Sequence, residues 1–210
     1  MDEREPSPIN GPHVTPRDKN SGSDQNSESK PGDFEKISKD YLDYLVKVTH
    51  DLSAQDNDIE ELCSLIRSAG AVHLYGFGRS GTAALACAIR LRQFSDFLPD
   101  VWWVGDQVRN PIRANDLLIV FSKVGSRSEL VALASLADKK GAKIALITSN
   151  RNARIGALAR LIILLPVFHS NEVYGGGDFE LSSFFFQEVL VRYLGKKMCI
   201  PRECVWMNHV

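Results

Sequence analysis

Five short apolar runs, separated by stretches of helix-like patterning, constrain the fold of this chain more than any other feature of its sequence. The runs cover residues 72–75, 101–104, 117–121, 144–148 and 161–165. The central runs are continuously apolar rather than alternating, which is typical of parallel strands covered by helices on both faces. The alternation of strands and helices therefore predicts an α/β domain with a doubly wound, five-stranded parallel sheet flanked by helices.

Apolar residues recur at helical spacing before, between and after these runs. We expect helices at about residues 34–48, 57–68, 80–94, 129–140, 155–159 and 179–194. The beginning of the chain is rich in Ser, Asn, Asp, Pro and Lys, and it cannot bury enough apolar surface to offset the entropy of ordering. The sequence thus predicts a disordered N-terminal tail at 1–33, one domain at 34–198 and a C-terminal tail at 199–210.

Charge and cysteine usage argue against several classes of partner. The formal net charge is −1, which gives no electrostatic case for nucleic acid or an anionic membrane as the main partner. No apolar run reaches transmembrane length, and the N-terminus lacks the apolar segment of a signal peptide. The four cysteines show no Cys-x-x-Cys spacing, so we expect no metal site, and a reduced, cytoplasmic protein.

The loop after the first predicted strand combines glycines with a cation and a hydroxyl, in the order Gly76-Phe77-Gly78-Arg79-Ser80-Gly81. Backbone N–H groups at the start of the following helix, together with Arg79 and Ser80, are suited to bind a phosphate group. Two other interpretations stay open. The spacing Gly-x-Gly-x-x-Gly also occurs in dinucleotide-binding loops, for which Asp106 could contact the ribose. The glycines could also simply allow close packing of helix on strand.

A second polar loop follows the third predicted strand and reads Ser122-Lys123-Val124-Gly125-Ser126-Arg127-Ser128. Hydroxyls, a glycine and two cations before a helix again favour an anion as ligand, although Ser126 or Ser128 could serve only as the helix N-cap. The next strand ends in a third polar turn, Thr148-Ser149-Asn150. Three such turns predict a ligand site at one edge of the sheet, because open α/β sheets bind ligands at the carboxyl ends of their strands.

These motifs, in their order and spacing, make residues 34–197 resemble the sugar isomerase (SIS) domain, a flavodoxin-like or Rossmann-like fold, and within it the 6-phospho-3-hexuloisomerase family. The stretches that carry the resemblance are 76–81, 103–106, 115–119, 141–143 with 148–150, and 177–181. The resemblance implies an isomerase without metal or other cofactor that interconverts 3-hexulose 6-phosphate and fructose 6-phosphate. It also implies a homodimer or homotetramer with sites near the subunit contacts.

The resemblance further implies roles for individual residues. Glu180 corresponds to the family's carboxylate base, and Arg79 and Ser80 correspond to residues of its first loop. A carboxylate can carry a proton between adjacent sugar carbons through an enediol, while the phosphate group holds those carbons in place. The residues that we expect to bind substrate are Gly78, Arg79, Ser80, Ser122, Lys123, Gly125, Ser126, Arg127, Ser149 and Asn150.

The chain departs from the family's pattern in its second loop and at one histidine. That loop usually reads Ser-Gly-Ser-Gly-Glu-Thr, whereas here Lys123 replaces a glycine, Val124 the inner serine and Arg127 the threonine. The family's active-site histidine corresponds to Gln93. We expect His169, in the loop after the last strand, to take its place as a second catalytic residue, although a lone loop histidine is often only solvated.

Two hypotheses of different class follow. The first is an isomerase of a phosphorylated hexose, with 3-hexulose 6-phosphate as the leading substrate and an amino or otherwise modified hexose phosphate as the alternative. The second is a non-catalytic sugar-phosphate sensor, because the histidine is missing and the second loop is altered. A dinucleotide-binding enzyme comes third. Glu180 could also be only an acid in the first turn of a helix, and Arg79 only part of a surface ion pair.

Overall fold

The computed structural model describes residues 30–167 and 177–208 of the chain. Its elements in chain order are α1 (Asp33–Ser53), α2 (Asp56–Ser68), β1 (Ala71–Gly76), α3 (Gly78–Arg92), β2 (Asp100–Trp103), β3 (Leu117–Phe121), α4 (Ser128–Lys139), β4 (Lys143–Thr148), a 3-10 helix (Arg154–Ala157), β5 (Leu161–Leu164), α5 (Asp178–Lys197) and α6 (Arg202–Met207). Every predicted strand and helix is present, the shortest helix as a 3-10 turn.

The strands form one five-stranded, all-parallel sheet in the order β2-β1-β3-β4-β5, which confirms the predicted fold class. Strands β1 and β3 are neighbours, with Gly76 beside Phe121 at their carboxyl ends. The chain leaves β1 toward one side of the sheet and later returns to extend it on the other side. The loops after β1 and β3 therefore diverge, and such a switch point opens a crevice at the strand ends.

Apolar side chains cover both faces of the sheet. On one face, residues such as Leu74 and Ile119 pack against α1, α2, α3 and α5, whereas on the other face Leu118 and Val120 lie under α4. All five residues of β3 are buried, since successive side chains of a strand point to opposite faces and both faces are covered. This double burial is the physical reason for the continuous apolar runs in the sequence.

Helix α3 approaches β1 very closely at the glycine loop. A Cβ on Gly76 would lie 2.7 Å from the Phe121 carbonyl oxygen, and one on Gly81 would lie 2.6 Å from the Gly76 carbonyl oxygen. Both distances are too short for a carbon atom, so these two glycines serve helix–strand packing. This was one of the interpretations that the sequence left open, and it accounts for two of the three glycines.

Parts of both predicted tails are described. Helix α1 begins at Asp33, while residues 1–29 lie outside the described residues. In the segment predicted as C-terminal tail, Ile200 and Val205 pack against the core, and the Asn208 side-chain amide donates a hydrogen bond to the Gln93 carbonyl oxygen. None of the helices within the described ranges is long and apolar enough to cross a membrane.

Candidate functional site

A cleft opens at the carboxyl ends of β1 and β3, between the loops that follow these strands. Its volume is about 430 Å³. The residues that line it are Phe77, Ser80, Phe121, Ser122, Lys123, Val124, Ser126, Arg127 and Leu130. The cleft therefore brings together the first and second polar loops that the sequence singled out, at the edge where α/β sheets bind ligands.

Glu180 lies in the first turn of α5 and reaches the glycine loop. The Ser80 hydroxyl donates a hydrogen bond of 2.9 Å to one Glu180 carboxylate oxygen. A guanidinium nitrogen of Arg79 lies 3.8 Å from the other oxygen, and the two side chains are 61% and 12% exposed. Three predicted site residues thus meet beside the cleft, around a carboxylate that is largely but not completely shielded from solvent.

An ion pair joins the second loop to the same helix. The Lys123 ammonium lies 2.7 Å from a carboxylate oxygen of Asp178, the first residue of α5. The Tyr44 hydroxyl, on α1, lies 2.7 Å from the Pro166 carbonyl oxygen and 3.0 Å from that of Asp178. Burial raises the pKa of Tyr44 to about 12, so this hydroxyl stays a donor even at the pH where an ordinary tyrosine ionises. The N-terminus of α5 is therefore held from two sides.

Hydrogen bonds hold the second loop in a tight turn. Gly125 has a φ of 62°, and its N–H donates to the Ser122 hydroxyl oxygen at 3.1 Å. The Lys123 carbonyl oxygen accepts hydrogen bonds of 3.0 Å from the hydroxyls of Thr148 and Ser149. The polar turn after β4 thus supports the loop after β3.

Ser149 and Asn150 were predicted to bind substrate, but neither lines the cleft. The Ser149 hydroxyl donates to the Lys123 carbonyl oxygen, and the Asn150 side-chain amide donates to the Val124 carbonyl oxygen at 3.1 Å. The structure thus brings these two side chains to the backbone of the second loop and not to the lining of the cleft. It places them behind the second loop, where they act on the conformation of that loop.

Arg127 forms part of the wall between the two loops. Its guanidinium carbon lies 4.7 Å from the centroid of the Phe77 ring, and its Nε lies 3.4 Å from the Glu129 carboxylate. Stacking on a ring positions a guanidinium without using its N–H donors. Ser126 also lines the cleft, and its hydroxyl oxygen accepts a hydrogen bond of 3.2 Å from the backbone N–H of Arg154. A positioned cation and neighbouring hydroxyls suit an anionic ligand.

Two other residues from the sequence analysis are not part of this cleft. Gln93 caps α3 at the end opposite Ser80, and a helix of 15 residues is roughly 22 Å long. There the Gln93 side-chain oxygen accepts a hydrogen bond from the Arg90 guanidinium. Gln93 of this chain is therefore too far away to act at the cleft. His169 lies outside the described residues.

A larger groove of about 750 Å³ lies between α3, α5 and α6, and it contains none of the predicted site residues. Its lining comes from the end of α3, from α5 after its second turn and from residues 199–206. We take the smaller cleft as the candidate site, because the topology of the sheet places ligand-binding loops there. In the described ranges, no group of three or more His, Cys, Asp or Glu side chains is arranged to hold a metal ion.

Sequence reasoning missed Asp178 and Tyr44. For Asp178 a local signal existed, because an acidic residue two positions before the candidate base shares its helical turn. For Tyr44 no local signal existed, since 134 residues separate it from the carbonyl group that it contacts.

Comparisons with known proteins identify the family to which this chain is similar. A family model described as "SIS domain" matches residues 65–172. A protein of Mycobacterium gastri named 3-hexulose-6-phosphate isomerase is 32% identical over 162 residues, which cover 72% of this chain and 80% of that protein. A Bacillus subtilis protein of the same name is 26% identical over 180 residues, which cover 81% of this chain and 96% of that protein.

Solved structures show the same fold. A Methanococcus jannaschii protein, whose structure was described as inferring a molecular function of 3-hexulose-6-phosphate isomerase, matches with a TM-score of 0.74 and 22% identity over 81% of this chain and 98% of its own. The Vibrio vulnificus NanR protein complexed with ManNAc-6P matches with a TM-score of 0.68 and 17% identity over 85% of this chain and 68% of its own. At such identities the likeness concerns the fold alone.

Proposed function

The chain belongs to the SIS domain family, and from that premise we propose that it is a sugar-phosphate isomerase that interconverts 3-hexulose 6-phosphate and fructose 6-phosphate. Relatives named 3-hexulose-6-phosphate isomerase support the choice of sugar. The observation that carries the proposal is the Glu180 carboxylate, held at 2.9 Å by the Ser80 hydroxyl beside a cleft of hydroxyls and cations.

The phosphate group of the substrate binds at the second loop. Lys123, Ser126 and Arg127 line this part of the cleft, and the N-terminus of α4 directly follows it. Cations, hydroxyls and the positive end of a helix all favour a phosphate dianion. Binding energy from the phosphate, which does not react, then holds the reacting carbons of the sugar in place.

Glu180 transfers a proton between the two reacting carbons. Its carboxylate removes the proton from C2 of the 3-hexulose phosphate, so that the C2–H electron pair forms the C2–C3 double bond of an enediolate with negative charge on the oxygen of C3. The protonated carboxyl group then returns the proton to C3, while the proton of the C2 hydroxyl moves to the oxygen on C3. One group thus acts first as a base and then as an acid, and no oxidant or reductant is needed.

Ser80 and Arg79 assist this transfer. The Ser80 hydroxyl orients the carboxylate, and the Arg79 guanidinium, 3.8 Å from it, stabilises negative charge that develops on the substrate oxygens. His169, which we predicted as a second catalytic residue, lies outside the described residues and stays a prediction. The predicted homodimer or homotetramer also stays a prediction, which sedimentation at working concentration can test.

Replacing Glu180 with Gln tests the proposal, because the amide keeps the shape of the side chain and cannot accept the proton. In D₂O, the wild type should exchange the carbon-bound proton of fructose 6-phosphate with solvent, which NMR detects. Glu180→Gln should slow this exchange by at least about 10²-fold and still be stabilised against heat by the same ligand. Glu188→Gln, on the outer face of the same helix, should exchange at the wild-type rate. Undiminished exchange in Glu180→Gln would remove Glu180 as the base.

A sensor that binds sugar phosphates without turnover is the second candidate. Val124 favours it, because this exposed side chain lines the cleft where the family has a serine, so the cleft lacks one hydroxyl. A panel of phosphorylated sugars separates the two functions. Heat stabilisation of the wild type by one or more of them, without proton exchange on any, would support the sensor and contradict the isomerase.

A further inference from the structure

The Lys123–Asp178 ion pair connects the loop that we assign to the phosphate group with the helix that carries the candidate base. The ammonium and the carboxylate oxygen are 2.7 Å apart, across 55 positions of sequence. Asp178 opens α5, and Glu180 lies in the same helical turn. The contact therefore links the second loop to the helical turn that carries Glu180.

The two partners of the pair lie in unequal surroundings. The Asp178 side chain is 3% exposed, whereas that of Lys123 is 38% exposed. A buried carboxylate that loses its cation is left with a large desolvation cost. A half-exposed ammonium that loses its anion is instead solvated by water. Breaking the pair therefore costs more free energy at the buried carboxylate of Asp178 than at the ammonium of Lys123.

Both ends of the bridge are anchored through the backbone. The Lys123 carbonyl oxygen accepts hydrogen bonds from two hydroxyls of the turn after β4. The Asp178 carbonyl oxygen accepts hydrogen bonds from the hydroxyls of Tyr44 and Ser182. The side chains therefore join two segments whose backbones are each anchored by other hydrogen bonds. An ammonium has three N–H donors, so Lys123 can contact Asp178 and an anion in the cleft at once.

We propose that Asp178 is a positioning residue: by pairing with Lys123 it fixes the first turn of α5, and with it Glu180, relative to the bound phosphate group. This role rests on the proposed function for the identity of the ligand. Lys123 stands where the resembling family has a glycine, and a glycine has no side chain that could form this ion pair. Displacing a reacting group by about 1 Å can cost up to about 10²-fold in rate, which makes such a tether effective.

The first test measures stability without any ligand, in a cycle of Lys123→Met, Asp178→Asn and the double variant. Lys123→Met removes the lysine cation from a carboxylate that is 3% exposed and should lower Tm by roughly 5 °C or more. Asp178→Asn should lower Tm by less than half of this. The double variant should melt above Lys123→Met, since it no longer buries a carboxylate whose lysine cation has been removed. Lys123→Arg, which keeps the charge, should melt close to the wild type.

The second test separates positioning from binding. Asp178→Asn keeps Lys123 available to the phosphate group, so its affinity for inorganic phosphate and its KM should stay within about twofold of the wild type or improve. Its kcat should fall by about ten- to a hundredfold, because Glu180 is no longer tethered. Lys123→Met should instead weaken phosphate binding by about tenfold or more. Glu188→Gln, which breaks the ion pair with Arg90 on the same helix, should change neither constant.

Several results would overturn the proposal. The first is a double variant that melts no higher than Lys123→Met. The second is an Asp178→Asn protein whose kcat equals that of the wild type. The third is an Asp178→Asn protein whose loss of activity comes entirely from a higher KM. If Asp178 had only a structural role, Asp178→Asn would have a lower Tm but no selective loss of kcat relative to KM. If the wild type turned over no sugar phosphate, the proposed function would fail, and the stability cycle, which uses no substrate, would still decide whether the pair tethers α5.

Discussion

Gly125 provides a test of whether the second loop is fixed by steric fit. Its φ is +62°, and a Cβ on this residue would lie 2.5 Å from the Cβ of Ala153. The left-handed backbone conformation costs a residue other than glycine about 1–2 kcal/mol. Overpacking in a buried contact costs about 1–3 kcal/mol more. Gly125→Ala should therefore lower the free energy of unfolding by roughly 2–5 kcal/mol, a large share of the stability of a single domain.

Gly141 supplies a matched control. It has a φ of +79°, but the atom nearest to its Cβ position is the Cβ of Ala114 at 3.5 Å, which is an ordinary contact. Gly141→Ala should therefore lose only the dihedral contribution, about 1–2 kcal/mol. The difference between the two alanine variants measures the clash with Ala153.

Urea unfolding followed by circular dichroism gives both free energies. Adding Ala153→Gly to Gly125→Ala removes the clashing methyl group. The double variant should therefore lose about 1–3 kcal/mol less free energy of unfolding than the two single losses add up to. Equal losses in Gly125→Ala and Gly141→Ala, or simple additivity in the double variant, would show that the loop adjusts freely and would refute the steric argument.

Two further predictions concern pH. Burial raises the pKa of Tyr44 from 10.0 to about 12, so the unfolded hydroxyl ionises first and stability is lost as pH rises between these values. In urea unfolding, Tyr44→Phe should lack this loss of stability, which is on the order of 2 kcal/mol. The alkaline loss caused by the buried thiols of Cys63 and Cys87 should persist in this variant. If Tyr44→Phe lost stability as steeply as the wild type, Tyr44 would not be the cause. Burial lowers the pKa of His73 below 6.5 despite its contact with Asp116, so the unfolded state binds a proton first as pH falls, and stability is lost. Between about pH 7 and pH 5 the free energy of unfolding should decline less in His73→Gln than in the wild type, and equal slopes would exclude His73 as the cause.

The fold could be predicted because its determinants are local. In β3, five consecutive apolar residues are all buried, so the pattern of the sequence and the environment in the structure carry the same information. The ends of the strands could be placed in the same way, since polar loops interrupt the apolar runs. The position of the cleft then followed from a general property of parallel sheets rather than from any particular residue.

The contacts within the site could not be predicted from patterns of this kind. Ser80 and Glu180 meet across 100 positions of sequence, and only the family resemblance singled out both. Ser149 shows the limit differently, because a hydroxyl at the end of a strand suits either a ligand or a neighbouring carbonyl group. In the structure it bonds to the Lys123 carbonyl oxygen, a choice that depends on how close two loops lie and not on the type of residue.

The surroundings of the two acids in the first turn of α5 favour Glu180 over Asp178 as the proposed base. A group that carries a proton through the reaction must exist with and without its charge. Protonating Asp178 would break an ion pair of 2.7 Å at a carboxylate that is only 3% exposed. Glu180 instead contacts a neutral hydroxyl at 2.9 Å and a mostly exposed guanidinium at 3.8 Å, and both contacts are weaker than the Lys123–Asp178 ion pair. The contacts of the two carboxylates therefore suit the two proposed roles: Asp178, in a 2.7 Å ion pair, as the residue that positions α5, and Glu180, with its weaker contacts, as the base.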